Sequence, residues 1–503
     1  MPRATTSATA ALAAAHPDLA HRALGYTGLT VSAAGFGGYR VDVEVEEHHT
    51  ALEKALLGGV NLIDTSANYT DGNSERLVGA VLGRLSQAGL VPRQQVVVVT
   101  KAGYLQGQNH QQSQARKEAG QAWPELLELE PGLEHCLHPD FLADQISRSL
   151  ERLQLDCIDL LLLHNPEYFW QWARERQMPE AEARAEYYRR IGQAFAHLEQ
   201  EVARGRIGGY GLSSNTYPLP ADHPDFTSLA EVWQRAAALA GGHHFQVIEF
   251  PCNLLEPGAM LNPNQPGGQS LLELARDLGL GVLINRPLNA MSPERGLLRL
   301  ADLEPVEPPT PEALLDHIAQ LRVSEEDLTA KLLPELGLEP GQSQQVAAYL
   351  SAAPTLVEHW NQLQGLEHWR HLEGEYFLPR IHAALQFIHQ TKGPSPELEG
   401  LISRHLSLVS QAFGAVGAVY RMATAQELAQ VRARAAAADP AWGQAASLSR
   451  LALKALWSTS GVSCVLVGMR RPAYVAEVLD ELTAPAAPEP RREAWLRLAA
   501  ITG

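Results

Sequence analysis

Residues 59–79 read GVNLIDTSANYTDGNSERLVG, and the fold turns on how this stretch is understood. Val60 to Ile63 has the short apolar character of a buried strand, and the run ends on an acid, Asp64. A polar loop follows, with Tyr69 at its centre and Asp71-Gly72 as turn chemistry. Ser74 reads as a helix cap ahead of Glu75, Leu77, Val78 and Leu82, whose apolar members share one helical face. The next strand-like run, VVVVT at 96–100, ends on Lys101, and the one after it, CIDLLLLH, ends on His164. If these strands are parallel neighbours, Asp64, Tyr69, Lys101 and His164 converge on one rim. A phenol titrating near pH ~10 is a poor proton donor unless a cation stabilises its phenolate. Lys101 is placed to be that cation, with Asp64 holding its ammonium and His164 orienting a carbonyl oxygen. An Asp64–Lys101 ion pair that merely joins two strands is the plainer alternative, and the company of Tyr69 and His164 at matching strand ends weighs against it.

Working outward, strand-like runs at 29–36, 158–163, 205–212, 245–250, 281–285 and 463–467 alternate with helical patterns at 48–57, 139–153, 184–204, 227–240, 269–278, 445–457 and 472–482. That alternation predicts an α/β fold, a (β/α)8 TIM barrel, with an extra α-helical insertion between the seventh and eighth strands. The expected organisation is a disordered tail over 1–20, the barrel over 21–300 and 436–485, the helical insertion over 301–435, and a C-terminal helix over 486–503. Residues 103–135 read as a polar, Gln-rich loop, longer than a barrel connection needs, and so as a candidate substrate loop. Tyr168, Phe169 and Trp170 either line an apolar pocket or pack under a surface helix.

The chain has 503 residues, 45% of them hydrophobic, and a net charge of −17. That is enough apolar sequence for a large core, while the acidic balance argues against nucleic acid or an anionic membrane as partner. No apolar run approaches the ~18 residues needed to cross a bilayer. Four cysteines occur singly, without CxxC spacing, which suits the cytoplasm and offers no metal site. The histidines scattered through the insertion lack HExxH or Cys/His spacing, so no metal is expected.

Six segments resemble the aldo-keto reductase superfamily, in that family's order: HRALGYTGLTVSAAGFGG (21–38), IDTSANYTDGNSERLVG, VVTKAGY, LLLLHNPE, GYGLSSNT (209–216) and SCVLVGMRR (463–471). The resemblance implies a nicotinamide-dependent oxidoreductase acting on an aldehyde, ketone or sugar carbonyl, or on the corresponding alcohol. Within it Tyr69 is the general acid and base, Lys101 and Asp64 tune it, and His164 positions the substrate oxygen. It also implies a cofactor site built from Gly37, Ser213, Ser214, Asn215, Glu249, Cys252, Arg286, Gly468, Arg470, Arg471 and Glu477. Three positions depart from the family pattern: Glu249 stands where a carboxamide-binding Gln is usual, Cys252 where an aromatic ring stacks, and Val478 where an Asn is usual. Arg470 and Arg471 open the last barrel helix, a physically sensible phosphate site; in the family that this chain resembles, basic residues here meet the adenosine 2′-phosphate, which implies NADP(H) over NAD(H). The rival expectation is a nucleotide-binding regulatory or scaffold subunit with little or no turnover.

Overall fold

Runs rich in Val, Ile and Leu ask to be buried on both faces, as a parallel sheet covered by helices requires. The computed structural model describes residues 1–292, 296–483 and 487–500, and it closes eight such runs into a parallel barrel in chain order. The strands are β1 (Ala34–Gly37), β2 (Leu62–Asp64), β3 (Val97–Ala102), β4 (Ile158–His164), β5 (Ile207–Ser213), β6 (Phe245–Pro251), β7 (Gly281–Asn285) and β8 (Cys464–Val467). β8 closes the ring, pairing Leu283↔Cys464 on one side and Val465↔Ala34 on the other. Leu62, Val97, Val99, Leu160, Leu162, Val247, Leu283 and Leu466 pack in one buried cluster with Ala4 and Leu24, so the interior is a core and not a channel.

The chain forms two compact units: 1–288 together with 434–503, and Asn289–Ala433. The first contains the barrel. The second combines a hairpin (Asn289–Ser292 with Gly296–Arg299) and helices that include Pro311–Lys331, Pro340–Leu350, Ala353–His359 and Leu378–Lys392. It has its own core, with Leu314, Ile318, Trp369, Phe377 and Phe413 buried. Inside it the buried Glu325 accepts backbone hydrogen bonds from Ala352 (2.8 Å) and Ala353 (3.0 Å) at the start of helix Ala353–His359, satisfying donors that a helix end leaves free.

Three local readings differ from expectation. Residues 1–20 are not a disordered tail: Thr6–Ala15 is a helix capped by the Thr5 hydroxyl, with Thr9 and Leu12 buried. Ala-rich sequence looks featureless but is the best helix former, and here it is pinned where the Ala4 amide donates to Asp159 (2.6 Å). Residues 103–135 are not a loop but a helix, Gly107–Glu118, and a three-stranded antiparallel sheet of Tyr104–Leu105, Leu127–Glu130 and Leu133–His135. Ser74 is not a cap; helix Asn73–Gln87 begins after Gly72 at φ 87°, and the Ser74 hydroxyl bonds to Thr65 (2.7 Å) and the Gly38 carbonyl (2.9 Å). At the other end, Arg492–Ala499 is helical, and residues 484–486 and 501–503 of the expected barrel end and C-terminal helix lie outside the described residues. Among the described residues no helix is long and apolar enough to cross a membrane.

Candidate active site

The candidate residues stand at the carboxyl ends of neighbouring strands. Gly37 pairs with Asp64, and Ser213 pairs with both His164 and Glu249. Lys101 lies near the carboxyl end of β3, level with Leu162. Tyr69 arrives on the turn after β2, where Thr70 (φ 45°) and Asp71 (φ 55°) take the left-handed conformation, costly for residues other than glycine. Side chains hold that turn: the Thr70 hydroxyl donates to the Val41 carbonyl (2.6 Å), Asp71 accepts from the Gln108 amide (2.9 Å), and Asn73 donates to Asp42 (3.1 Å).

At the centre, the fully buried Lys101 ammonium donates to the Asp64 carboxylate, to the Thr65 carbonyl (3.3 Å) and to the Tyr69 hydroxyl (3.3 Å). The ammonium also lies 5.1 Å from the centroid of the Tyr69 ring. Burial opposes its charge, yet Asp64 and Glu249 together hold Lys101 above the ordinary lysine range. Burial raises the Tyr69 phenol; Lys101 pulls it down and Asp64 and Glu249 push it up, leaving it well above the usual value. His164 stands edge-on to Tyr69, ring centroids 5.9 Å apart, with its Nδ1 3.1 Å from the Ser66 hydroxyl. Burial, reinforced by Lys101 and His135, keeps His164 neutral.

Sequence reasoning anticipated Tyr168 as a pocket residue but missed Tyr104, His135 and Tyr39, which wall this cluster with it. Tyr104 sits edge-on to His164 (4.7 Å), takes a hydrogen bond from Asn165 (2.8 Å) and meets Tyr168 (5.3 Å). His135 bonds through Nε2 to the His164 carbonyl (2.7 Å), and burial lowers it to about 4. Tyr39 packs edge-on against Tyr69 (5.2 Å) and stays largely exposed. The three aromatics after His164 divide their work: Tyr168 joins this wall, while Phe169 and Trp170 are buried against Tyr187. Tyr104 closes the segment VVTKAGY and no local motif marks His135; both reach His164 because the small sheet folds back on β4.

Of the expected cofactor residues, Gly37 and Ser213 end their strands and Glu249 lies near the end of β6, while the others lie in the segments that follow β5 to β8. The Glu249 carboxylate is engaged from within: Oε1 accepts from Ser213 (3.1 Å) and Asn285 (2.8 Å), and Oε2 lies 3.3 Å from Lys101. The Ser214 hydroxyl is 3.1 Å from that of Thr216, and the Asn215 amide donates to Glu167 (2.8 Å), a side chain that burial raises to about 7. Cys252 is completely buried, its thiol raised by burial. Arg286 takes a left-handed φ of 50° and pairs with Glu256 (2.9 Å). A side chain at Gly37 would press on the Val467 carbonyl at 3.2 Å, so close packing of β1 on β8 explains that glycine. Gly468 has open space around it, and Arg470 and Arg471 follow, with Arg471 3.7 Å from Glu47. Glu477 is exposed on helix Pro472–Leu482.

The chain is 27% identical over 283 residues to the NADH-specific methylglyoxal reductase of Escherichia coli, a match that spans 55% of this chain and 68% of that protein. It is 31% identical over 204 residues to the D-threo-aldose 1-dehydrogenase of a Pseudomonas species, spanning 40% of this chain and 53% of that one. Among solved structures it is similar to an aldo/keto reductase from Klebsiella pneumoniae in complex with NADP and acetate, with 20% identity, a TM-score of 0.33, and coverage of 52% of this chain and 67% of that one. Relatives named as a reductase and a dehydrogenase set the chain among oxidoreductases. The aldo/keto reductase family model matches residues 33–290, about half of the chain, and the chain belongs to that family.

Proposed function

We propose that this protein reduces the carbonyl of an aldehyde, ketone or sugar, or oxidises the corresponding alcohol, with a nicotinamide cofactor and with Tyr69 as proton donor and acceptor. The observation that carries this reading is the Lys101 ammonium, paired with Asp64 and 3.3 Å from the Tyr69 hydroxyl on a buried rim. A phenol so placed gives its proton to a substrate oxygen and leaves a phenolate beside a fixed cation, a charge that water would otherwise have to stabilise. In oxidation the same phenolate takes the proton back. His164, neutral, presents an uncharged imidazole to orient the oxygen.

The residues present fit a nicotinamide dinucleotide. Asn285 Oδ1 is buried without a hydrogen-bond partner, an acceptor suited to a carboxamide N–H, and it lies on β7, across β6 from the Ser213–Asn215 end of β5. Ser213, Ser214, Asn215 and Arg286 would hold the nicotinamide end, and Gly468, Arg470 and Arg471 a phosphate at the start of helix Pro472–Leu482. When bound, that group supplies or accepts the hydride. Two arginines at a helix start favour the extra phosphate of NADP(H), although the Escherichia coli relative is NADH-specific by name. Four free, buried cysteines suit a reducing cytoplasm.

Oxidation of NADPH or NADH by the wild type with a panel of aldehydes and aldoses, compared with Tyr69→Phe, tests the proposal. The substitution is expected to cost about 10²–10⁴-fold in kcat while cofactor still binds. A wild type that binds the cofactor yet turns over nothing overturns it and leaves a nucleotide-sensing scaffold.

A further inference from the structure

The Glu249 carboxylate is 1% exposed. Its Oε1 takes hydrogen bonds from Ser213 and Asn285, whereas its Oε2 is buried with no hydrogen-bond partner. An ammonium has three N–H groups, and those of Lys101 are spent on Asp64, the Thr65 carbonyl and Tyr69. Lys101 stands 3.3 Å from Glu249 Oε2, an ion pair outside its three hydrogen bonds. Two buried carboxylates around one ammonium carry a net charge of −1, and an orphaned buried carboxylate oxygen is costly. Asp64 accepts from Lys101 while Glu249 Oε2 stands 3.3 Å from the same nitrogen, so the two buried carboxylates crowd one ammonium.

We propose that Asp64 and Glu249 share one proton, which gives the orphaned oxygen its hydrogen bond and makes the buried cluster neutral, and that Tyr69 becomes a weaker acid when that proton leaves. This rests on the role given to Tyr69 above and adds Glu249 to it as a positioning residue. The titratable groups facing the pair are Lys101 on β3, Tyr69 on the turn after β2 and the Cys464 thiol on β8, which burial raises, with the neutral His164 one step away beside Tyr69. Burial lifts the Asp64 carboxyl, Lys101 opposes the rise and Glu249 adds to it, leaving it at about 8. Above that pH the proton passes to solvent hydroxide as water, no electron moves, and the cluster is left with charge −1. A phenolate forming next to it then meets an additional negative charge, so proton donation by Tyr69 slows.

Two measurements on the full-length protein test this. Infrared spectra of the cofactor-free protein, taken as wild type minus Glu249→Gln, are expected to show a protonated-carboxyl band at neutral pH that vanishes above about pH 8; Asp64→Asn serves as a second subtraction should the first variant fold poorly. The pH profile of kcat/KM for reduction is expected to drop about tenfold through the same range in the wild type, a shift of about one pKa unit in Tyr69, and to lose that inflection in Glu249→Gln whatever its absolute rate. A missing band, or an identical inflection in the variant, overturns the proposal. A Tyr69→Phe protein that still turns over sinks the catalytic role of the tyrosine, while the infrared difference continues to decide the shared proton.

Discussion

Asp159 offers a demanding test of how the barrel is held at the end opposite the catalytic rim. Its side chain is 2% exposed and accepts from the Arg93 guanidinium (2.7 Å), the Val98 amide (2.7 Å) and the Ala4 amide (2.6 Å). Arg93 is itself 1% exposed. Asp159→Ala would leave a guanidinium and two amides buried without this acceptor. Each lost charge-assisted bond counts for about 1.5–3 kcal/mol, but they share one anion and do not add. The expected cost is therefore that of a buried pair losing one partner, about 3–5 kcal/mol. Arg93→Met combined with Asp159→Ala removes the stranded cation and should recover part of the loss, though not the two orphaned amides. Denaturant unfolding of the four proteins in a double-mutant cycle measures the coupling, and amide exchange at Val98 and Ala4 reports whether the loss is local. A single-variant cost under about 1 kcal/mol, or strictly additive effects, would refute the reasoning.

Three more expectations follow from the same coordinates. His135, lowered to about 4 by burial, favours the fold only while neutral; its contribution is complete above about pH 6.5 and is lost as pH falls toward 4, about 3 kcal/mol in all, so denaturant midpoints of His135→Gln should depend less on acid than those of the wild type. Glu325, raised to about 7 chiefly by burial, is held more comfortably protonated, and stability is lost as pH rises through that value; Glu325→Gln should match or exceed the wild type in stability above neutral pH, whereas Glu325→Ala should lose about 1–3 kcal/mol by stranding the Ala352 and Ala353 amides, both read by denaturation across pH. Replacing Arg470 and Arg471 with Ala should weaken NADPH binding about tenfold or more while changing NADH binding less, and equal losses for the two cofactors in a fluorescence titration would remove the 2′-phosphate assignment.

The barrel was legible because its strands are continuous apolar runs broken by residues that chemistry needs at a rim: Asp64, Lys101, His164 and Ser213. Period and punctuation set Asp64, Lys101 and His164 at strand ends that meet if the strands are parallel neighbours, and the family resemblance adds Ser213. The helix at Thr6–Ala15 was hidden by a composition shared with disordered chains, since its anchoring depends on Asp159, far away in sequence. The Gln-rich stretch before His135 hid its small sheet for the opposite reason: its strands are only two to four residues long and carry no sustained alternation. The odd residue at Glu249 could be seen in the sequence, but not its proximity to Lys101, because β3 and β6 are not neighbours in the ring and meet only across its interior.

The interruption between β7 and β8 bears on the order of assembly. Bonded neighbours across that seam, such as Val282 and Ser463, are separated by 181 positions, and closing a flexible chain of that length carries an entropic toll of about 5 kcal/mol. The inserted stretch gathers around Trp369 and Phe413 as a centre of its own, so it can condense before the ring shuts and hand the last strand a shorter tether. Loosening that centre should then slow ring closure itself, and leave late intermediates with seven strands paired and an open seam for foreign edges to exploit.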